Sequence, residues 1–295
     1  MPELPSFWPN REYSRFLRVD GVDWHVQTRG TGPALLLIHG TGASSHTWAA
    51  LADALADRFT LIMPDLPGQG FSGALPESDI SLDGFSRHLK GLLDSLGVRP
   101  KLMVGHSAGA VIATQMTLHC QFTPAAIVSL NGAFLPFGSA AAPLFNRLAK
   151  WLSKSTLLAY ITAAHGMFNR PVRNMLVETG SVPSAEMMRC YRELISRPDH
   201  IMGTLKMMAG WDLEQQRQLL PSLRTPLHLV TCSNDRTVAP WQSERLSEFV
   251  ACSQLYSVPN LGHLGHEEDP TPFTDIIAST LCQVSLALSI PTAGC

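Results

Sequence analysis

Short apolar runs and amphipathic stretches take turns along the first part of the chain. Trp24 to Thr28, Ala34 to Ile38 and Thr60 to Met63 read as strands, whereas Trp48 to Ala56 and Ser81 to Leu96 carry apolar side chains at helical spacing. Gly97 stops the second helix. Leu102 to Val104, Ala108 to His119 and Ala125 to Leu130 continue the series as strand, helix and strand. Such alternation predicts an α/β fold with a mostly parallel central sheet flanked by helices. After Asn131-Gly132 the rhythm breaks, and positions 133–211, rich in Ala, Leu, Met and basic residues, show no strand pattern. They predict an inserted helical cap. Leu227 to Thr231, Trp241 to Val250, Gln254 to Val258 and a helix starting near Pro272 restore the alternation, so the core comprises 1–132 and 212–295. The apolar stretch from Ile276 to Ile290 is interrupted by Ser279, Thr280, Gln283, Ser285 and Ser289. It falls short of the ~20 residues that cross a bilayer and predicts a docked terminal helix, or at most a surface-seeking segment.

Within this framework Gly105-His106-Ser107-Ala108-Gly109 falls at a strand-to-helix turn. A serine exposed on such a turn needs a strained backbone, and its flanks need residues with no side chain to pass beside it. The pentapeptide reads as a nucleophile elbow with Ser107 as nucleophile. A serine hydroxyl is a weak nucleophile at neutral pH and requires a base, an acid to orient the base, and donors for the oxyanion. Asp235, just past the strand Leu227 to Thr231, is the expected acid. For the base the loop Asn260 to Pro270 offers His263 and His266. The spacing to Glu268 and Pro270 favours His263, leaving His266 to line the same loop or face solvent. The oxyanion donors are expected from the backbone N–H groups of Ala108 and of Thr41, in the small-residue loop after Ala34 to Ile38. His39 and Asp65 read as residues that tie down loop backbone.

Composition removes several classes of function. Of 295 residues 16% are charged, the formal net charge is −2, and no Lys/Arg run occurs, which argues against nucleic acid as a partner. The six cysteines are scattered without a Cys-x-x-Cys pair and read as reduced thiols. Met1 to Ser6 is acidic and proline-broken where a signal peptide needs a basic and then an apolar region, so a cytoplasmic location is expected. The eleven histidines show no His-x-x-x-His spacing, and neither a metal nor another cofactor is expected.

Taken together, the elbow, the order Ser107, Asp235, His263 and the His39-Gly40-Thr41-Gly42 loop resemble the α/β-hydrolase superfamily over nearly the whole chain. Trp8 to Glu12, His39 to Ser44 with His46 and Trp48, Ser129 to Phe137, and Met207 to Leu213 are similar more narrowly to the magnesium-chelatase-associated hydrolases of bacteriochlorophyll biosynthesis. Gln69 stands where Pro-Gly-x-Gly is expected to carry histidine. The resemblance implies a small hydrophobic substrate, a tetrapyrrole at the magnesium-protoporphyrin stage, contact with magnesium chelatase, and a peripheral place at the photosynthetic membrane.

The cap suits such a substrate. Phe134, Phe137, Phe145 and Trp151 are candidates for an apolar wall, Arg147 for meeting a propionate, and His46 and His266 for lining the pocket. The bland reading makes these the core and the solvated face of an amphipathic cap. Three functions stay open: a serine hydrolase of an acyl ester or related bond, a non-catalytic tetrapyrrole carrier or chelatase helper, and a general carboxylesterase unconnected with pigments.

Overall fold

The structure, a computed structural model, describes residues 3–119, 123–135, 163 and 168–289. Eight strands form one sheet: β1 (Ser14–Val19), β2 (Val22–Arg29), β3 (Ala34–Ile38), β4 (Thr60–Pro64), β5 (Leu102–His106), β6 (Ala126–Leu130), β7 (Leu227–Cys232) and β8 (Ser253–Val258). Their order is β1-β2-β4-β3-β5-β6-β7-β8. From β4 to β8 every neighbour is parallel, while β1 and β2 join the edge antiparallel. The helices are α1 (Ala49–Leu55), α2 (Leu82–Ser95), α3 (Ala108–His119), α4 (Asn169–Glu178), α5 (Ala185–Ile195), α6 (Pro198–Gly210), α7 (Glu214–Leu219), α8 (Trp241–Phe249), α9 (Gly265–Glu268) and α10 (Thr271–Ser289).

The central strands are predominantly apolar and buried because helices cover both faces of the sheet. Successive side chains of β3 and β5 point to opposite sides. Leu36, Ile38 and Met103 pack with Phe85, Leu89, Val111 and Met116 of α2 and α3. Leu35, Leu37, Leu102 and Val104 pack with Leu51 and Leu55 of α1 and with Phe273 and Ile277 of α10. Each such side chain contributes about 1.5–3 kcal/mol on burial. No described helix is long and apolar enough to cross a membrane.

Helix α9 lies within the expected loop Asn260 to Pro270, and two further elements differ from the expected series. Strand β1 is unanticipated, yet it forms a hairpin with β2 across Asp20-Gly21, both at positive φ (49° and 80°), a dipeptide suited to that turn. Helix α7 is also additional. Ser81 caps α2 by accepting from Gly84 N–H at 3.1 Å, and Gly97 beyond its end adopts φ 66°. The described part of the 133–211 segment is 133–135, Ala163 and 168–211, the last carrying α4, α5 and α6 with their connections.

Candidate active site

Ser107 occupies the turn between β5 and α3 with φ 51°, a left-handed conformation that costs a side-chain-bearing residue of order 1–3 kcal/mol. Three backbone hydrogen bonds hold it there. Its N–H donates to Leu130 O at 2.9 Å, and its carbonyl accepts from Ala110 and Ala133, both at 3.2 Å. A Cβ on Gly105 would lie 2.3 Å from Ala110 N, and one on Gly109 2.0 Å from Ile38 O. Both flanks of the serine therefore require glycine, as the pentapeptide predicts.

Asp235 follows β7 in a tight turn closed by its own N–H to Cys232 O at 3.1 Å. One carboxylate oxygen, Oδ1, accepts from the amides of Thr237 at 2.7 Å and Val238 at 2.8 Å. The other, Oδ2, meets His263 Nδ1 at 2.7 Å. Both side chains are buried. A carboxylate can only accept, so Nδ1 carries the proton and Nε2 of the neutral ring keeps its lone pair free to act as a base. No hydrogen bond joins Ser107 Oγ to His263 among the described residues. What brings the serine's neighbourhood to His263 is His106, whose Nε2 donates to His263 O at 2.9 Å and whose ring lies 4.6 Å from the His263 ring.

Asn131, at the end of β6 with φ 48°, adds a second tie. Its Nδ2 donates to His263 O at 3.0 Å and to Gly262 O at 3.3 Å, while its Oδ1 accepts from Cys232 N–H at 2.9 Å. One buried amide thus links the ends of β6 and β7 to the histidine loop. In the sequence Asn131 marks the end of a strand and falls within the Ser129 to Phe137 stretch, and neither reading includes this clamp. An asparagine there, able to tolerate positive φ, is the signal for the clamp.

On the opposite side of the elbow, Ala108 opens α3, where a first-turn N–H has no partner within its helix. Thr41 lies between Gly40 and Gly42 in the loop after β3. Gln69, fully buried, accepts the Gly42 N–H through Oε1 at 2.6 Å and donates through Nε2 to Met207 Sδ of α6 at 2.8 Å. Thr41 Oγ1 also donates to Met207 Sδ, at 3.8 Å. The departure at Gln69 is therefore a brace for the loop that carries Thr41. His39 braces it from beneath, with Nδ1 donating to Gly40 O at 2.8 Å and Nε2 accepting from Leu66 N–H at 2.8 Å. That pattern requires a neutral ring, and burial lowers its pKa accordingly. Asp65 accepts from Ser45 N–H, Phe71 N–H and His25 Nδ1. Burial opposes its charge, yet His25 and His39 beside it and the Ser45 amide hold it well below the usual carboxylate range.

His266 lies in the histidine loop as expected but is buried, and solvation is ruled out. Its Nε2 meets Thr47 Oγ1 at 2.9 Å, and its ring packs 4.5 Å from His106 and 5.0 Å from Trp48. Its pKa is pushed down to about 3 by burial and by His263 and His46. His46 is likewise buried and lowered to about 3, with Nδ1 paired to Ser44 Oγ at 2.7 Å and its ring between Trp8 and Tyr191. Phe134 is buried in the cluster that includes Ala108, Val111 and Met207. Phe137, Phe145, Arg147 and Trp151 lie outside the described residues. Among the described residues no group of three or more His, Cys, Asp or Glu side chains is placed to hold a metal ion.

A sequence profile described as the alpha/beta hydrolase family matches residues 35–276, which span Ser107, Asp235 and His263. The chain belongs to that family. It is also 34% identical over 267 residues to the Magnesium-chelatase 30 kDa subunit of Rhodobacter capsulatus, covering 90% of this chain and 93% of that protein. It is 28% identical to the Pimeloyl-[acyl-carrier protein] methyl ester esterase of Vibrio vulnificus, covering 85% of this chain and 95% of the esterase. Among solved structures, an alpha/beta hydrolase fold protein from Burkholderia ambifaria superimposes with a TM-score of 0.76 at 23% identity, covering 90% of this chain and 97% of that one. As a member of this family with hydrolase relatives, the chain has the fold of a hydrolase.

Proposed function

We propose that the chain is a serine hydrolase of an acyl ester or related bond. Ser107 attacks the acyl carbon and His263 Nε2 takes its proton. The oxygen of the resulting tetrahedral centre is held by the N–H groups of Ala108 and Thr41. Collapse of that centre expels the leaving alcohol, which receives the proton from His263, and water then releases the acyl group by the reverse sequence. Asp235 holds the ring in the Nδ1–H form throughout. The observation that carries this reading is the 2.7 Å pairing of Asp235 with His263, which leaves Nε2 bare on the loop that His106 ties to the elbow.

We further infer that this activity serves, or is accessory to, bacteriochlorophyll biosynthesis at the magnesium-protoporphyrin stage, in contact with magnesium chelatase. The support is the relative named as a 30 kDa chelatase subunit, matched over most of both chains. That same name, which describes a subunit and not a hydrolase, favours the second reading of a tetrapyrrole-binding helper. A binding and turnover screen of protoporphyrin IX, its magnesium form and its methyl ester separates them. A product that depends on Ser107 supports the hydrolase, and binding unchanged in Ser107→Ala with no product supports the helper.

A further inference from the structure

The cap meets the catalytic loops along the turn between α4 and α5. The carbonyl oxygen of Thr179 accepts from two amides at once, Arg236 N–H at 3.1 Å and His263 N–H at 3.3 Å. One amide belongs to the residue after the acid and the other to the base, so a single cap carbonyl spans the two loops. Gly180 follows with φ 88°, and a Cβ there would lie 1.9 Å from Asn234 O. From the other side, a Cβ on Gly262 would lie 2.3 Å from Gly180 C. The turn and both loops are thus in backbone contact, with no room for a side chain between them.

Side chains complete the seam. Buried Ser181 accepts from Leu264 N–H through Oγ at 2.9 Å. The Glu268 carboxylate accepts from Val182 N–H of the cap at 2.9 Å and from Gly262 N–H of the histidine loop at 3.0 Å. Further along, Tyr191 O–H of α5 donates to Glu267 Oε1 at 2.9 Å. The carbonyl of His263 is held by the core through Asn131 and His106, but its amide is held by the cap.

We propose that the turn from Thr179 to Val182, together with Glu268, is a positioning element for the acid–base pair. It sets the register of the His263 imidazole against Asp235, and at this end the cap is a fixed part of the assembly. Ser181 and Glu268 touch no reacting atom and act through His263. The kinetic consequence rests on the serine-hydrolase reading, whereas the geometry of the pair does not.

The test reads the pair directly. Proton NMR of the full chain locates the hydrogen-bonded Nδ1 proton of His263, assigned by its loss in Asp235→Asn. In Glu268→Ala and in Ser181→Ala its exchange with water rises about tenfold or more, and Glu268→Gln, which keeps one acceptor oxygen, recovers part of the protection. With p-nitrophenyl butyrate the same variants lose kcat by a similar factor, keep KM, and shift the acidic limb of the pH profile. Ser181→Ala carries the test if Glu268→Ala does not fold. An imidazole signal with wild-type exchange in the folded variants overturns the proposal, even if thermal stability falls. A wild-type protein that shows the signal and is protected as expected, yet never reacts with a fluorophosphonate, contradicts the hydrolase reading and leaves the positioning role standing.

Discussion

His106 Nε2 donates to the backbone carbonyl of His263 at 2.9 Å, so the residue beside the elbow serine grips the loop that carries His263. The side chain at the second position of Gly-x-Ser-x-Gly is therefore a structural link between the serine turn and the His263 loop. His106 is kept neutral by burial and by His266 and His263 nearby, which suits a ring that donates from one nitrogen only.

Asp235→Asn should lower the rate of reaction at Ser107 by about 10³–10⁴-fold, because an amide no longer selects the Nδ1–H form of His263. Stopped-flow hydrolysis of p-nitrophenyl butyrate measures it. A loss below tenfold would mean that the 2.7 Å pairing has no role in proton transfer.

Gln69→Leu removes the acceptor for Gly42 N–H and the donor to Met207 Sδ. Because the loop then no longer presents Thr41 in place, kcat should fall by about tenfold or more with KM nearly unchanged, part of the 10²–10³ that one oxyanion donor supplies. Steady-state kinetics decide. A change confined to KM would place Gln69 in substrate binding instead.

His46, His200 and His266 are buried and their pKa values are pushed down to about 3, by burial first in each case. In the unfolded chain they titrate near 6.5, so below that pH the unfolded state takes up protons that the folded state refuses. Stability is therefore full above about pH 6.5 and falls as pH drops toward 3, by up to ~1.4 kcal/mol per pH unit for each histidine. Urea midpoints at pH 7, 6 and 5 should decline steadily, with a shallower decline in His266→Asn. Equal midpoints at pH 7 and 5 would contradict the burial of neutral rings.

Gly109→Ala would place a Cβ 2.0 Å from Ile38 O, against backbone that cannot retreat without disturbing β3. It should destabilise by about 2–4 kcal/mol or prevent folding. Thermal unfolding of the variant, compared with Ala110→Gly in the same helix, reads the effect.

The parallel core was legible because its strands are short, apolar and separated by helical spacing, and the elbow because glycine is obligatory on both sides of Ser107. The pairing of Asp235 with His263 was legible from chain order. Asn131, His106 and Gln69 were not. Their work is done by hydrogen bonds to backbone groups 27 to 157 positions away, as from Gln69 to Gly42 and from His106 to His263, and nothing in local periodicity marks such a partner. For the same reason the sequence leaves His266 open between lining the loop or pocket and facing solvent: a lone polar residue shows no sign of the Trp48, Phe273 and His106 rings that enclose it. Strand β1 was hidden because none of its residues is fully buried at the sheet edge, with only Asp20-Gly21 to announce the hairpin.

The central claim is that Ser107 is a nucleophile activated by His263 and Asp235. Intact-mass and peptide mapping after exposure to a fluorophosphonate tests it most directly. The account predicts a single adduct on Ser107, absent from Ser107→Ala and strongly slowed in His263→Ala. Folded wild-type protein that forms no adduct, or forms it at another residue, would contradict it.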